Sequence, residues 1–189
     1  MPDSLGFRDS VFGLPEQVAA AARSLTVTGN LPSHEAIANI LVVGTGAAGW
    51  AGDLLAAVAG PFMPVPVVVH KGFSPPSFVD ASTLVVAISA SGDSPEMAAS
   101  VATCVEAGAH LFAVTSGGAL GRMADEAEAP TVFLPVADSP VPTRTRLGAL
   151  AIPVLKAFET MGLFPGAREW IAAAVEQLAT RRDQLAADD

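Results

Sequence analysis

Two kinds of apolar pattern alternate along the chain. Short solid runs, NILVVG (39–44), PVPVVVH (64–70), STLVVAIS (82–89), AHLFAVTS (109–116) and APTVFLP (129–135), are rich in β-branched residues. Such runs read as strands buried on both faces. Between them lie segments with helical spacing. Pro15 opens one that runs through VAAAARSL, as a proline suits a first turn. GTGAAG leads into GWAGDLLAAVAG, and SPEMAASVATCVEAG sets Met97, Val101, Cys104 and Val105 on one stripe before Gly108 ends it. A short helix is expected near 119–128, a longer one over RTRLGALAIPVLKAFETMG despite Pro153, and a last one over REWIAAAVEQLATRRDQLAADD, polar towards its end. Strands that alternate with helices predict an α/β fold with a parallel, doubly wound sheet covered on both faces. In such sheets ligands bind beyond the carboxyl ends of the strands, where strand order reverses. The loops here richest in Gly and Ser all follow a strand.

Composition narrows the picture. The 189 residues suffice for one domain, and with 51% hydrophobic and 15% charged residues the chain is globular. Net charge is −9 with no run of Lys or Arg, which excludes a nucleic-acid face. Cys104 is the only cysteine, so no internal disulfide forms. Residues 36–69 are very apolar, but Asp53, Gly and Pro interrupt them at strand-like intervals, so two strands around a helix explain them better than a membrane span. MPDSLGFRDS lacks the features of a signal peptide, and a cytoplasmic location is expected. His34, His70 and His110 are scattered without ligand spacing, so neither a metal nor a cofactor is expected.

Three loops are candidates for holding an anion. In AISASGDSPEM, Ser94 is placed to cap a helix that Pro95 begins. Backbone amides, the hydroxyls of Ser89, Ser91 and Ser94, and the positive end of the helix dipole would converge there, with Gly92 allowing the turn. Simple helix capping explains Ser94 equally well, and Asp93 brings negative charge close. Gly44-Thr45-Gly46-Ala47-Ala48-Gly49 has the GxGxxG spacing of a dinucleotide site, but the next strand ends His70-Lys71-Gly72, without the acid expected for a ribose. A tight turn that approaches some other ligand remains the alternative. Thr115-Ser116-Gly117-Gly118 can floor a pocket or simply turn the chain.

Taken together these segments resemble the SIS, or sugar isomerase, domain. The S-x-S-G-x-[ST]-x-E pattern is matched by Ser89, Ser91, Gly92, Ser94 and Glu96. GLPEQV, GTGAAGWAGD, KGFSPP, AVTSGGALGRMA and TRTRLGAL carry a similarity to the bifunctional phosphoglucose/phosphomannose isomerase branch. The resemblance implies a three-layer α-β-α sandwich with a five-stranded parallel sheet of flavodoxin-like order. It also implies a sugar phosphate of the hexose 6-phosphate class, bound by Ser89, Ser91, Gly92 and Ser94 with Gly46, Ala47 and Ala48. The family's arginine, held to steady an enediolate, falls on Arg144. Two departures stand out. Ala48 occupies a position where the family carries a serine, and nothing matches the second SIS half that supplies the glutamate base and the ring-opening histidine.

The expected organisation is therefore one SIS domain with an N-terminal helix over 1–164, followed by a C-terminal helix over 165–189 that suits a connector to a second half. Three functions stay open: half of an aldose–ketose sugar-phosphate isomerase, inactive alone; a non-catalytic module that senses a sugar phosphate and regulates a partner; and a dinucleotide-binding oxidoreductase. A homodimer that imitates two SIS halves is expected, with no membrane or nucleic-acid partner. His70 could face the pocket and Lys71 could attract a phosphate, though both read as surface residues; Cys104 reads as a packed core thiol, Trp50 as packing or a dimer contact, and Phe164 with Trp170 as anchors of the last helix or as a face towards the second half.

Overall fold

The computed structural model describes residues 6–135 and 143–187. Five strands, β1 (Asn39–Val43), β2 (Val67–His70), β3 (Thr83–Ser89), β4 (His110–Thr115) and β5 (Thr131–Phe133), form one sheet in the order β2-β1-β3-β4-β5. All four pairings are parallel. Every residue of β3 is buried, as its unbroken apolar run requires of a central strand. β2 is only half-buried throughout, because it lies at the sheet edge.

Helices cover both faces. Alternate strand residues face opposite ways, so Leu41, Val43, Val85, Ala87, Leu111 and Ala113 pack with Met97, Val101 and Cys104 of α4 (Pro95–Glu106) and with Leu120 and Ala124 of α5 (Gly118–Glu126). Val105, expected on the same stripe, is exposed instead: it flanks the buried line that Met97, Val101 and Cys104 already fill. On the other face Ile40, Val42, Leu84, Val86, Ile88, Phe112 and Val114 share a core with α2 (Leu14–Ser24), α3 (Ala47–Val58) and α6 (Leu147–Thr160). α6 buries nine of its residues, including Pro153. α7 (Ala167–Ala187) packs back on α2 and α6 through Ala167 and Ile171, and Arg182 reaches Glu16 at 2.7 Å. A further short helix, α1 (Phe7–Phe12), precedes these and buries no residue, which is why no apolar stripe announced it.

Strand order reverses between β1 and β3. The chain leaves β1 through α3 to the outer strand β2, then returns past β1 to begin β3 on its other side. The loops after β1 and β3 therefore diverge to opposite faces and leave a crevice between them, the ligand position of doubly wound sheets. No described helix is long and apolar enough to cross a membrane.

Candidate functional site

A cavity of about 370 Å³ opens at that reversal. Thr45, Ala47 and Ala48 line it from the end of β1, Ile88, Ser89, Ala90, Ser91 and Ser94 from the end of β3, Ser116 from β4, and Arg146 and Leu150 from the start of α6. Of the residues singled out in the sequence, Ala47, Ala48, Ser89, Ser91 and Ser94 thus meet at one wall. Gly92 frames the cavity from behind, and Gly46 is exposed at the start of α3.

The loop after β3 is held by its neighbour after β4. Gly92 adopts φ +79°, and a Cβ there would lie 1.8 Å from the Gly117 carbonyl oxygen. The Ser116 amide donates to the Ala90 carbonyl at 3.1 Å, its hydroxyl donates to the same oxygen, and the Leu120 amide donates to the Gly92 carbonyl at 2.9 Å. Asp93 turns its carboxylate onto the Ala119 amide at 2.9 Å, in the first turn of α5. Its charge is thereby spent on another helix start, which removes the electrostatic objection that the sequence raised. The glycine-rich turn after β1 has a packing reason of its own: a Cβ on Gly44 would meet Ala48 Cβ at 2.9 Å and the Ile88 carbonyl at 3.0 Å.

The hydroxyls differ in what they already do. Ser89 Oγ accepts from the Gly92 amide at 3.1 Å and Ser91 Oγ accepts from the Asp93 amide at 3.3 Å. Each keeps its own proton to donate. Ser94 stands at the N-cap of α4, yet its side chain caps nothing; it donates to Glu96 Oε2 at 3.0 Å. The contact of 3.3 Å between Thr45 Oγ1 and Ser94 Oγ then has Thr45 as its donor. No side chain caps α3 or α4, so two helix starts with their positive dipole ends meet the same cavity, although the Ala48 and Gly49 amides of α3 already donate to the Thr45 carbonyl at 3.1 and 3.3 Å.

The basic residue at this wall is Arg146, the N-cap of α6, whose Nη2 donates to the Pro135 carbonyl at 2.8 Å. Arg144, on a 3-10 turn over Thr143–Thr145, is exposed and does not line the cavity. Sequence reasoning passed over Arg146, and held Thr45 and Ser116 only as members of candidate loops. Both arginines lie in RTRLG, and only the turn geometry decides which one faces inward. Lys71 pairs with Asp53 on the surface at 2.5 Å, and the half-buried His70 keeps Nε2 without a described partner; neither lines the cavity. Among the described residues the wall carries no Asp, Glu, His, Cys or Lys. The Glu96 carboxylate reaches it only through Ser94. Among the described residues no cluster suits a metal ion.

No family model matches the chain. It is similar to the bifunctional phosphoglucose/phosphomannose isomerase of Caldicellulosiruptor bescii, 29% identical over 177 residues, which are 93% of this chain and 51% of the relative. The enzyme of that name from Thermoplasma acidophilum is 31% identical over 120 residues, 64% of this chain and 36% of the relative. The chain thus spans about half the length of the first of these relatives and about a third of the second. In fold it matches the C-terminal domain of glucosamine-fructose-6-phosphate aminotransferase from Francisella tularensis, with TM-score 0.64 and 20% identity over 94% of this chain and 53% of that one. It also matches the Vibrio vulnificus NanR protein complexed with ManNAc-6P, with TM-score 0.53 and 14% identity over 92% of this chain and 66% of that one. With the S-x-S-G-x-S-x-E loop at the end of β3 and the 2-1-3-4-5 parallel sheet beneath it, the chain is similar in sequence to the bifunctional phosphoglucose/phosphomannose isomerases and shares the fold of the aminotransferase domain.

Proposed function

We propose that this chain is a SIS domain, binds a hexose 6-phosphate through its phosphate and forms the N-terminal half of an aldose–ketose sugar-phosphate isomerase, inactive by itself. The observation that carries the reading is the wall of uncommitted donors: the protons of Ser89 and Ser91, two uncapped helix starts and Arg146, around one cavity. Amides and hydroxyls fix the ester dianion without titrating, so the grip holds across physiological pH. Arg146 adds charge where the enediolate develops, taking the part that the family resemblance assigned to Arg144. Proton transfer between C1 and C2 needs a base and ring opening needs an acid. The described residues of the wall supply neither, so in this reading a second SIS unit completes the reaction. The test is direct. The chain alone is protected against thermal unfolding by fructose 6-phosphate but does not isomerise it; turnover by the chain alone overturns the assignment.

The second unit would dock on the apolar side. A groove of about 490 Å³ between α2, α3, α6 and α7 is lined almost wholly by aliphatic and aromatic groups, among them Leu54, Val58, Leu147, Ile152, Trp170 and Leu178. Trp50 stands exposed next to it on α3. Exposed apolar surface of this extent marks an interface, and in this chain taken by itself a second copy fills the place of the second half. Light scattering is expected to give a dimer at tens of micromolar, an order-of-magnitude choice of concentration; monomer alone refutes the homodimer.

A second reading is a non-catalytic module that binds a sugar phosphate and regulates a partner. Ala48, where the family carries serine, and the lack of a base on the wall favour it. NanR, of the same fold, was solved with ManNAc-6P. Supplying a polypeptide with the second-half segments separates the two readings, since only the isomerase half gains turnover. The third reading, a dinucleotide-binding oxidoreductase, predicts stabilisation by NAD(P) and none by fructose 6-phosphate.

A further inference from the structure

A second cavity, about 720 Å³, lies at the opposite end of the sheet, between the loop that precedes β1 and the far ends of α6 and α7. Its wall is rigid, because Thr28 exchanges two backbone hydrogen bonds with Thr131 of β5, at 2.8 and 3.0 Å. Leu25, Val27, Leu31, Pro153 and Met161 give it apolar sides. Lys156, Arg168 and His34 give it cations or their precursors, a concentration unexpected in a chain of net charge −9.

These groups are only partly satisfied. Lys156 Nζ donates to the Ala22 and Leu25 carbonyls at 2.6 and 2.8 Å, closing the end of α2, and an ammonium has a third proton to give. Arg168 uses Nε on Glu159 at 3.0 Å, while its terminal nitrogens take no partner among the described residues. Glu159 pairs with Arg168 and Glu176 lines an adjoining cavity that Lys156 and Arg168 also border, while the described residues lining this cavity include no Asp or Glu. His34 lies over the turn after α6, with Nδ1 3.8 Å from where a Cβ on Gly162 would stand. Burial first, and then the Arg168 guanidinium, hold the Lys156 ammonium below its ordinary value, a strain that a bound anion relieves.

We propose that this cavity is a second binding site, separate from the one at the carboxyl ends of the strands, for a small polyanion. The anionic head sits between Lys156 and Arg168, and the body rests on the aliphatic wall. Clustered phosphates and clustered carboxylates share the required chemistry, so pyrophosphate and citrate are the two probes.

The site is tested by calorimetric titration of the full chain at constant ionic strength, in a Ser89→Ala/Ser91→Ala background that disables the first cavity. At least one probe is expected to bind saturably there. Arg168→Ala should weaken it at least tenfold, and Arg168→Lys should restore part of the loss. The Arg168 side chain is 75% exposed, so folding survives its removal, as an unchanged melting temperature without probe will check. Binding of pyrophosphate alone identifies a phosphate ligand, binding of citrate alone a polycarboxylate, and either supports the site. Failure of both probes, loss of binding in the serine background, or indifference to Arg168→Ala overturns it. None of these outcomes depends on whether the first cavity binds hexose phosphate.

Discussion

Replacement of Gly92 by alanine tests whether the site is built by two loops pressed together. The added methyl would sit 1.8 Å from the Gly117 carbonyl oxygen, 2.7 Å from its carbon and 2.8 Å from Thr115 Oγ1. Two of these atoms are backbone, held by the Ser116–Ala90 and Leu120–Gly92 hydrogen bonds, so they cannot swing aside as a side chain end would. Overpacking of this kind costs about 1–3 kcal/mol. The left-handed φ of +79° adds about 1–2 kcal/mol for a residue with a Cβ. Together the loss is about 3 kcal/mol, or roughly 6–12 °C in melting temperature for a domain of this size. Gly46 is the internal control. It also has positive φ, +55°, with ψ −126°, but nothing lies within 4 Å of its added Cβ, so Gly46→Ala should lose the backbone term alone, about 1–3 kcal/mol and less than Gly92→Ala. Urea denaturation of both variants gives the comparison. Equal losses, or less than about 1 kcal/mol for Gly92→Ala, would refute the close approach of the two loops.

Three further predictions follow from the same geometry. Ser89→Ala and Ser91→Ala should each weaken fructose 6-phosphate binding about fivefold to tenfold, a hydrogen bond of about 1 kcal/mol, whereas Ser116→Ala, whose proton is spent on Ala90, should change affinity less than twofold; calorimetry ranks them. Arg146→Ala should cost roughly tenfold to a hundredfold in affinity through loss of a charged donor, and Arg144→Ala should cost little; the reverse order would return the role to Arg144. Burial pushes the Cys104 thiol from 9.0 to about 11. The folded state therefore keeps its proton to higher pH than the unfolded chain. The stability this gives is complete below pH 9 and lost as pH rises through about 11. Denaturation midpoints of the native chain should fall over that window more steeply than those of Cys104→Ala.

The sheet and its reading direction were legible because each strand is an unbroken apolar run and each following loop is glycine- and serine-rich. The edges were less so. PVPVVVH suggested seven strand residues, but only Val67–His70 pair, since Pro64 and Pro66 offer no amide to the ladder. APTVFLP likewise shrinks to Thr131–Phe133 at the other edge. At the site, Ser89, Ser91 and Ser94 were legible as a group, because the S-x-S-G-x-S spacing sits between a strand and a proline. Their division of labour was not: it depends on the Gly92 and Asp93 amides and on Glu96, which meet the serines only through the turn that Gly92 permits. Arg146 was hidden for a related reason. Residues two apart on a turn point different ways, and sequence does not say which one the following helix carries inward.

Two carboxylates within three residues of an anion loop seem self-defeating, and their placement explains why they are tolerated. Asp93 leaves the cavity for the first turn of α5, where it ties the loop after β3 to the loop after β4. Glu96 stays in the first turn of α4, where a negative side chain is stabilised by the dipole, and holds the Ser94 proton. A dianion that enters near Ser94 therefore meets an oxygen whose proton points away. In the proposed binding mode its partners are the Ser89 and Ser91 protons and the helix amides. The two acids thus shape the site by exclusion: they turn one serine from ligand donor to spacer and brace the backbone that presents the other two.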